Sequence, residues 1–173
     1  MKKKYFYCLD ILVLCFLVNL LLIGCQSDGS GSGFLPTQLL VGEMDASVSG
    51  ASFYATNATS IKNGSSVILK ASILQKKINH DSVSISLIIP TSGIPPYSID
   101  VSTDVTSLIN YCMVSYPSGN CINYQAKKGI GSGTINITSL SPNIEGTFFG
   151  VLPHVSGSDS VTITFGKFKA LLP

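Results

Sequence analysis

The chain has 173 residues, 45% of them hydrophobic and only 12% charged, with eight phenylalanines, seven tyrosines and no tryptophan. Its formal charge of +2 is an amino-terminal feature: with Lys2, Lys3, Lys4 and Asp10 set aside, eight lysines face eight acidic residues, and no arginine occurs. That balance excludes the basic, arginine-bearing stripe that grips nucleic-acid phosphates, and the apolar content excludes a chain too polar to bury a core.

Met1-Lys2-Lys3-Lys4 is followed by a run that from Ile11 to Ile23 holds a single polar residue, Asn19. A charged start, a short apolar stretch and small residues at its end form the layout of a secretory signal. Asp10 leaves the run short of the roughly 20 apolar residues a permanent membrane helix needs. The stretch Leu22-Ile23-Gly24-Cys25 resembles the lipobox of bacterial lipoproteins, whose cysteine thiol is diacylated and becomes the new first residue. The resemblance implies removal of residues 1–24, palmitate-type acylation of Cys25 and a membrane partner reached through that lipid. Two or more acyl chains give durable anchoring where one does not. Gln26 stands where an aspartate would resemble an inner-membrane retention signal, which points to the outer membrane, on its periplasmic or cell-surface face.

Residues 25–33 then read as the lipidated cysteine and a Gly/Ser tether, whose composition is that of a flexible coil. The remaining stretch, 34–173, has the size of one domain. Five cysteines reduce to two once Cys8 and Cys15 leave with the signal and Cys25 takes the lipid. Cys112 and Cys121 flank Tyr116-Pro117-Ser118-Gly119-Asn120, a turn signal, so an exported chain is predicted to join them in a disulfide that pins a hairpin. A metal site is the rival, but the spacing is not that of a CxxC pair and no histidine stands nearby.

In chain order, Phe34 to Val41 is an apolar lead-in broken by Pro36. Ala46, Val48 and Ser52 to Ala55 predict strand around a turn or bulge at Gly50. Asn63-Gly64 is a hairpin signal leading into a strand over Ser66 to Leu74. Gln75 to Asp81 reads as a polar break, and Ser82 to Leu87 alternates strictly with its apolar residues on odd numbers. Pro90 stops that strand, Gly93 to Tyr97 is a rigid corner, and Tyr97 to Val101 leaves it as a short strand. The cysteine hairpin follows over Ser107 to Tyr116 and Cys121 to Ala126, then a loop over Lys127 to Gly133. Strands are predicted over Thr134 to Thr138, Ile144 to Val151 and Asp159 to Phe168. The nearest approach to helical spacing is Val105, Leu108, Ile109 and Cys112, about two turns. The pattern predicts an all-β fold, a single antiparallel β-sandwich or partly closed barrel of about eight strands.

Three carboxy-terminal blocks carry a likeness: Gly133 to Leu140, Ile144-Glu145-Gly146-Thr147-Phe148, and Val161 to Phe168. They resemble the G-x-I-x-I-T, I-x-G-T-F and I-T-x-G-x-F blocks of a family of uncharacterised Bacteroidetes lipoproteins. Ala46 to Phe53 is similar to that family's first hairpin, without the tryptophan common there. The resemblance implies a β-sandwich lipoprotein and no catalytic activity. Independently of it, Gly146 and Gly166 inside strands signal close backbone approach capped by an adjacent aromatic.

Chemistry-bearing residues are few. His80-Asp81 reads as a solvated pair, His154 lies in a turn-like segment, and no Gly-x-Ser-x-Gly elbow or HExxH occurs. Asp100, Asp104 and Asp159 lack a DxDxDG context for calcium, so neither a metal nor a cofactor is expected. Asn57, Asn63 and Asn136 match glycosylation acceptors, a use that a bacterial lipobox argues against. Tyr111, Tyr116 and Tyr124, on or beside the cysteine hairpin, are the candidate faces for a glycan or an envelope protein, against the plainer reading that they pack on the sheet. The expected function is a non-catalytic structural or interaction module anchored in the envelope. A surface glycan- or ligand-binding domain is the alternative, and a hydrolase comes third.

Overall fold

The computed structural model describes residues 38–77, 80–115 and 118–173. The segment expected to be a signal, Cys25, the expected Gly/Ser tether, the lead-in through Thr37 and Tyr116 lie outside the described residues, as do the side chains of His80 and Asp81.

Among the described residues eleven strands form two antiparallel sheets. The first part of the chain makes β1 (Glu43–Val48), β2 (Ala51–Ala55), β3 (Thr59–Asn63), β4 (Ser66–Lys77) and β5 (His80–Pro90). The second makes β6 (Tyr97–Asp100), β7 (Leu108–Ser115), β8 (Cys121–Ala126), β9 (Ser132–Ser139), β10 (Asn143–Pro153) and β11 (Ser160–Leu171). The six-stranded sheet runs β2-β1-β11-β10-β9-β6 and the five-stranded sheet β3-β4-β5-β7-β8, so the architecture is an open sandwich and not a barrel.

The inward faces follow the period of two that a pleated strand imposes. Val83, Ile85, Leu87 and Ile89 of β5 are buried while Ser82, Ser84 and Ser86 turn outward. Met44, Ala46 and Val48 do the same for β1, and Ile135 and Ile137 for β9. The two inner faces meet in one core that includes Phe53, Leu69, Ile109, Phe148 and Phe168.

Several boundaries differ from the sequence reading, each for a local reason. Ser49 and Gly50 both have positive φ, 48° and 82°, the signature of a two-residue type I′ hairpin, so the first strand region is two strands. The region before Asn63 is itself a strand, β3, which completes the hairpin that the Asn-Gly signal required. The polar break at Gln75 to Asp81 is shorter than expected, because β4 runs to Lys77 and β5 begins at His80. Leu108 to Cys112, the nearest helical spacing, is strand β7, with Ile109 and Tyr111 on its buried side.

The two glycine signals have one shared cause. Gly146 lies opposite Phe168, and Gly166 opposite Phe148, across the β10–β11 ladder. A Cβ on Gly146 would stand 2.7 Å from the Phe168 ring, and one on Gly166 at 2.7 Å from the Phe148 ring. Each phenylalanine therefore lies over the bare backbone opposite it, and the two rings lie with centroids 6.2 Å apart.

Candidate functional site

The cysteine hairpin is formed. Cys112 and Cys121 are disulfide-bonded between neighbouring strands with Cα atoms 5.7 Å apart. Cys112 registers with Asn123 and Cys121 with Val114, so the bond runs diagonally across β7 and β8 on the outer face of the five-stranded sheet.

Tyr111 and Tyr124 stand directly opposite each other on the inner face of that hairpin. They are 7% and 5% exposed, as the plainer reading that they pack on the sheet has it, so neither offers a face to solvent. The physical reason is parity: Tyr111 shares its face with Ile109 and Met113, and Tyr124 shares its face with Ile122 and Ala126, all directed at the core. Their rings lie 6.1 Å apart, and burial holds both phenols protonated beyond the usual range. Tyr124 is pushed up to about 12, first by burial and then by its hydrogen bond to Asp159.

That hydrogen bond belongs to a cluster the sequence did not disclose. Tyr124 Oη donates to Asp159 Oδ2 at 2.7 Å, and His154 Nδ1 lies 3.3 Å from Asp159 Oδ1. The His154 ring packs on Tyr124 at 5.1 Å. His154 and Asp159 sit at the two ends of the β10–β11 loop, where the His154 N–H also donates to the Asp159 carbonyl at 2.9 Å. One end of the next residue is held too, since the Val155 N–H donates to Asn123 O at 2.9 Å. Chemically the arrangement resembles an acid–base pair. Both carboxylate oxygens of Asp159 are directed at partners, so what the cluster does is fasten the loop to β8. The signal available in sequence was a histidine and an aspartate at the two ends of a six-residue turn between two strands.

Asp100 and Asp104, weighed for calcium, cap turns instead. Asp100 Oδ1 accepts from the Ser102 N–H and hydroxyl at 2.9 and 2.7 Å, which holds its carboxyl below the usual range. For Asp104, burial pushes the other way but is outweighed by hydrogen bonds from Thr106 and Ser107, and the net shift is downward. Among the described residues no three His, Cys, Asp or Glu side chains gather in a way that could hold a metal.

A cleft of about 430 Å³ opens where β3 stops covering β4, lined by residues of the 54–57 crossing and by Ser72, Ile73, Leu74 and Ser82. The last β3–β4 pair is Thr59 with Lys70. Two residues further on, the Asn57 carboxamide takes over the edge, accepting from the Ser72 N–H at 3.0 Å and donating to its Oγ at 3.2 Å. This internal role accounts for one of the three asparagine acceptor motifs. At the mouth Tyr54 is half-exposed, with its hydroxyl donating to Glu43 Oε1 at 2.5 Å. The Glu43 carboxylate, through that hydrogen bond first, raises the Tyr54 phenol above its ordinary range. A flat aromatic face beside hydroxyl and amide groups suits a neutral, hydroxyl-rich ligand.

Fold and site together define a two-sheet antiparallel β-sandwich with a disulfide-pinned hairpin, a fastened loop and a polar edge cleft. Comparison with family models, curated proteins and solved structures finds no match to this chain. Among the described residues no helix is long and apolar enough to cross a membrane.

Proposed function

We propose that this protein is a lipid-anchored envelope module, acylated at Cys25, held in the outer membrane and serving a non-catalytic structural or interaction role. The observation that carries the reading is Leu22-Ile23-Gly24-Cys25 at the end of an apolar run, ahead of a Gly/Ser stretch and a folded sandwich. The resemblance to uncharacterised Bacteroidetes lipoproteins agrees with it. The use of Asp159, His154 and Tyr124 to fasten a loop supports a structural over a catalytic reading. Labelled palmitate fed to expressing cells should enter the protein and fail to enter Cys25→Ala. Label retained by the variant would remove Cys25 as the anchor, and reproducible turnover by the purified protein would remove the non-catalytic role.

A second reading is favoured by the edge cleft: capture of a neutral glycan at Tyr54, Asn57, Ser72 and Ser82, in place of the buried tyrosines. Tyr54→Ala should abolish retention on a glycan array by a protein that otherwise keeps its unfolding midpoint. Equal retention by wild type and variant would end this reading.

A further inference from the structure

Exposed aliphatic side chains gather at the end of the sandwich where the described chain begins. Leu40 is 71% exposed and Leu171 67%, and Val41 and Leu172 are exposed beside them in sequence. The backbone brings the two pairs to one end: Glu43 registers with Lys169, and the Gly42 N–H donates to the Lys169 carbonyl at 2.8 Å. The rim is small and polar, with Ser60 donating to the Leu171 carbonyl and Asn143 registered opposite Leu171. Two carboxylates at this end of the ladder are already engaged. Glu43 accepts from the Leu40 N–H at 2.6 Å and from Tyr54, and Glu145 pairs with Lys169 at 2.8 Å. Single exposed leucines are ordinary surface chemistry, but a gathered set with a polar rim marks an interaction surface.

We propose that this end of the sandwich docks on the surface of a lipid bilayer, with Leu40, Val41, Leu171 and Leu172 set among the headgroups; the inference rests on the reading of Cys25 as the lipidated residue. Chain length makes the bilayer the occupant. Cys25 stands thirteen positions before Gln38, a separation that a chain spans in at most ~45 Å even when fully extended. A lipid at Cys25 therefore keeps the bilayer at high local concentration against the end where Gln38 enters. Under that condition even a weak apolar contact is populated. Docking would give the domain a fixed orientation: the β10–β11 loop with Val155 and the Ile130 turn, at the opposite end of the same strands, would face away from the lipid.

The test uses the full lipidated chain in nanodiscs of phosphatidylethanolamine and phosphatidylglycerol doped with a nitroxide-headgroup lipid, read by methyl NMR. The expected result is loss of the Leu40, Val41, Leu171 and Leu172 methyl signals while those of Ile130 and Val155 survive. The double variant Leu171→Glu, Leu172→Glu should still co-elute with the discs and regain the Leu40 and Val41 signals, with unshifted Ile135 and Ile137 signals reporting an intact core. Co-elution with equal broadening at both ends, or with Leu40 and Val41 unaffected because residues 34–37 or another copy of the chain cover them, overturns the docking and leaves the anchor standing. Failure of the wild-type chain to co-elute overturns the anchor and the docking with it.

Discussion

Tyr124 couples the core to the surface through a single hydroxyl. Its ring is buried against Tyr111 and His154, whereas the Asp159 carboxylate that accepts its hydrogen bond is 63% exposed. The phenol titrates near 10 in an unfolded chain and at about 12 here. Between those values the unfolded state has given up its proton and the folded state keeps it. Stability is therefore full below about pH 10 and falls as pH rises towards about 12. Tyr124→Phe should flatten that alkaline decline in urea midpoints while costing about 1 kcal/mol at neutral pH through the lost hydrogen bond. An unchanged alkaline slope would show that the decline has another source. The buried setting of Tyr111 and Tyr124 was legible in the sequence, since each lies two residues from apolar neighbours on the same strand face. Chemical type drew attention to them as ligands, but strand parity decides where they point. The His154–Asp159 pairing was harder to read, because it depends on the β10–β11 loop closing with its two ends face to face.

At the scale of the element, the cysteine hairpin and the β10–β11 ladder are the two places where local sequence dictates geometry. The Cys112–Cys121 bond spans a sequence separation of 9, and a loop of that size is worth about 2–3 kcal/mol in the chain-entropy account. Cys112→Ala with Cys121→Ala should lower unfolding stability by about that amount, measured by urea titration, and a loss below about 0.5 kcal/mol would contradict that account. Gly146→Ala places a methyl group against the Asn136 carbonyl, a backbone group, and against the ring of the buried Phe168. It should cost about 1–3 kcal/mol, the range for overpacking a closed core, and a neutral outcome would mean that the strands separate more easily than their register suggests. Strict alternation made β5 readable from sequence alone. In β11 it hid a feature: the buried residues shift from odd to even, Ile163 to Gly166 and Phe168, because a bulge intervenes. Phe165 sits in that bulge with φ of 54° and a largely exposed ring. Such a backbone state is unusual for a bulky residue, so no propensity argument would place it there.

For the whole molecule, the all-β class and the sandwich followed from short alternating runs separated by turn residues, while strand order did not. Pairings such as β1 with β11 join segments more than a hundred residues apart, and nothing local in either segment names its neighbour. The cleft at Tyr54 was hidden for the same reason, since its walls come from the β2–β3 crossing and from β4 and β5.

The position of β11 between β1 and β10 has a consequence in time as well as in space. The five-stranded sheet can assemble from β3, β4, β5, β7 and β8, but the other sheet lacks a central member until β11 arrives. Contacts of such long sequence separation form slowly. A chain emerging with its amino terminus first would thus hold the six-stranded sheet open until β11 arrives to close it. Ending the chain at Asp159 should leave a product without the near-ultraviolet signature of packed tyrosines. A truncated chain that kept that signature would show the closing step to lie elsewhere.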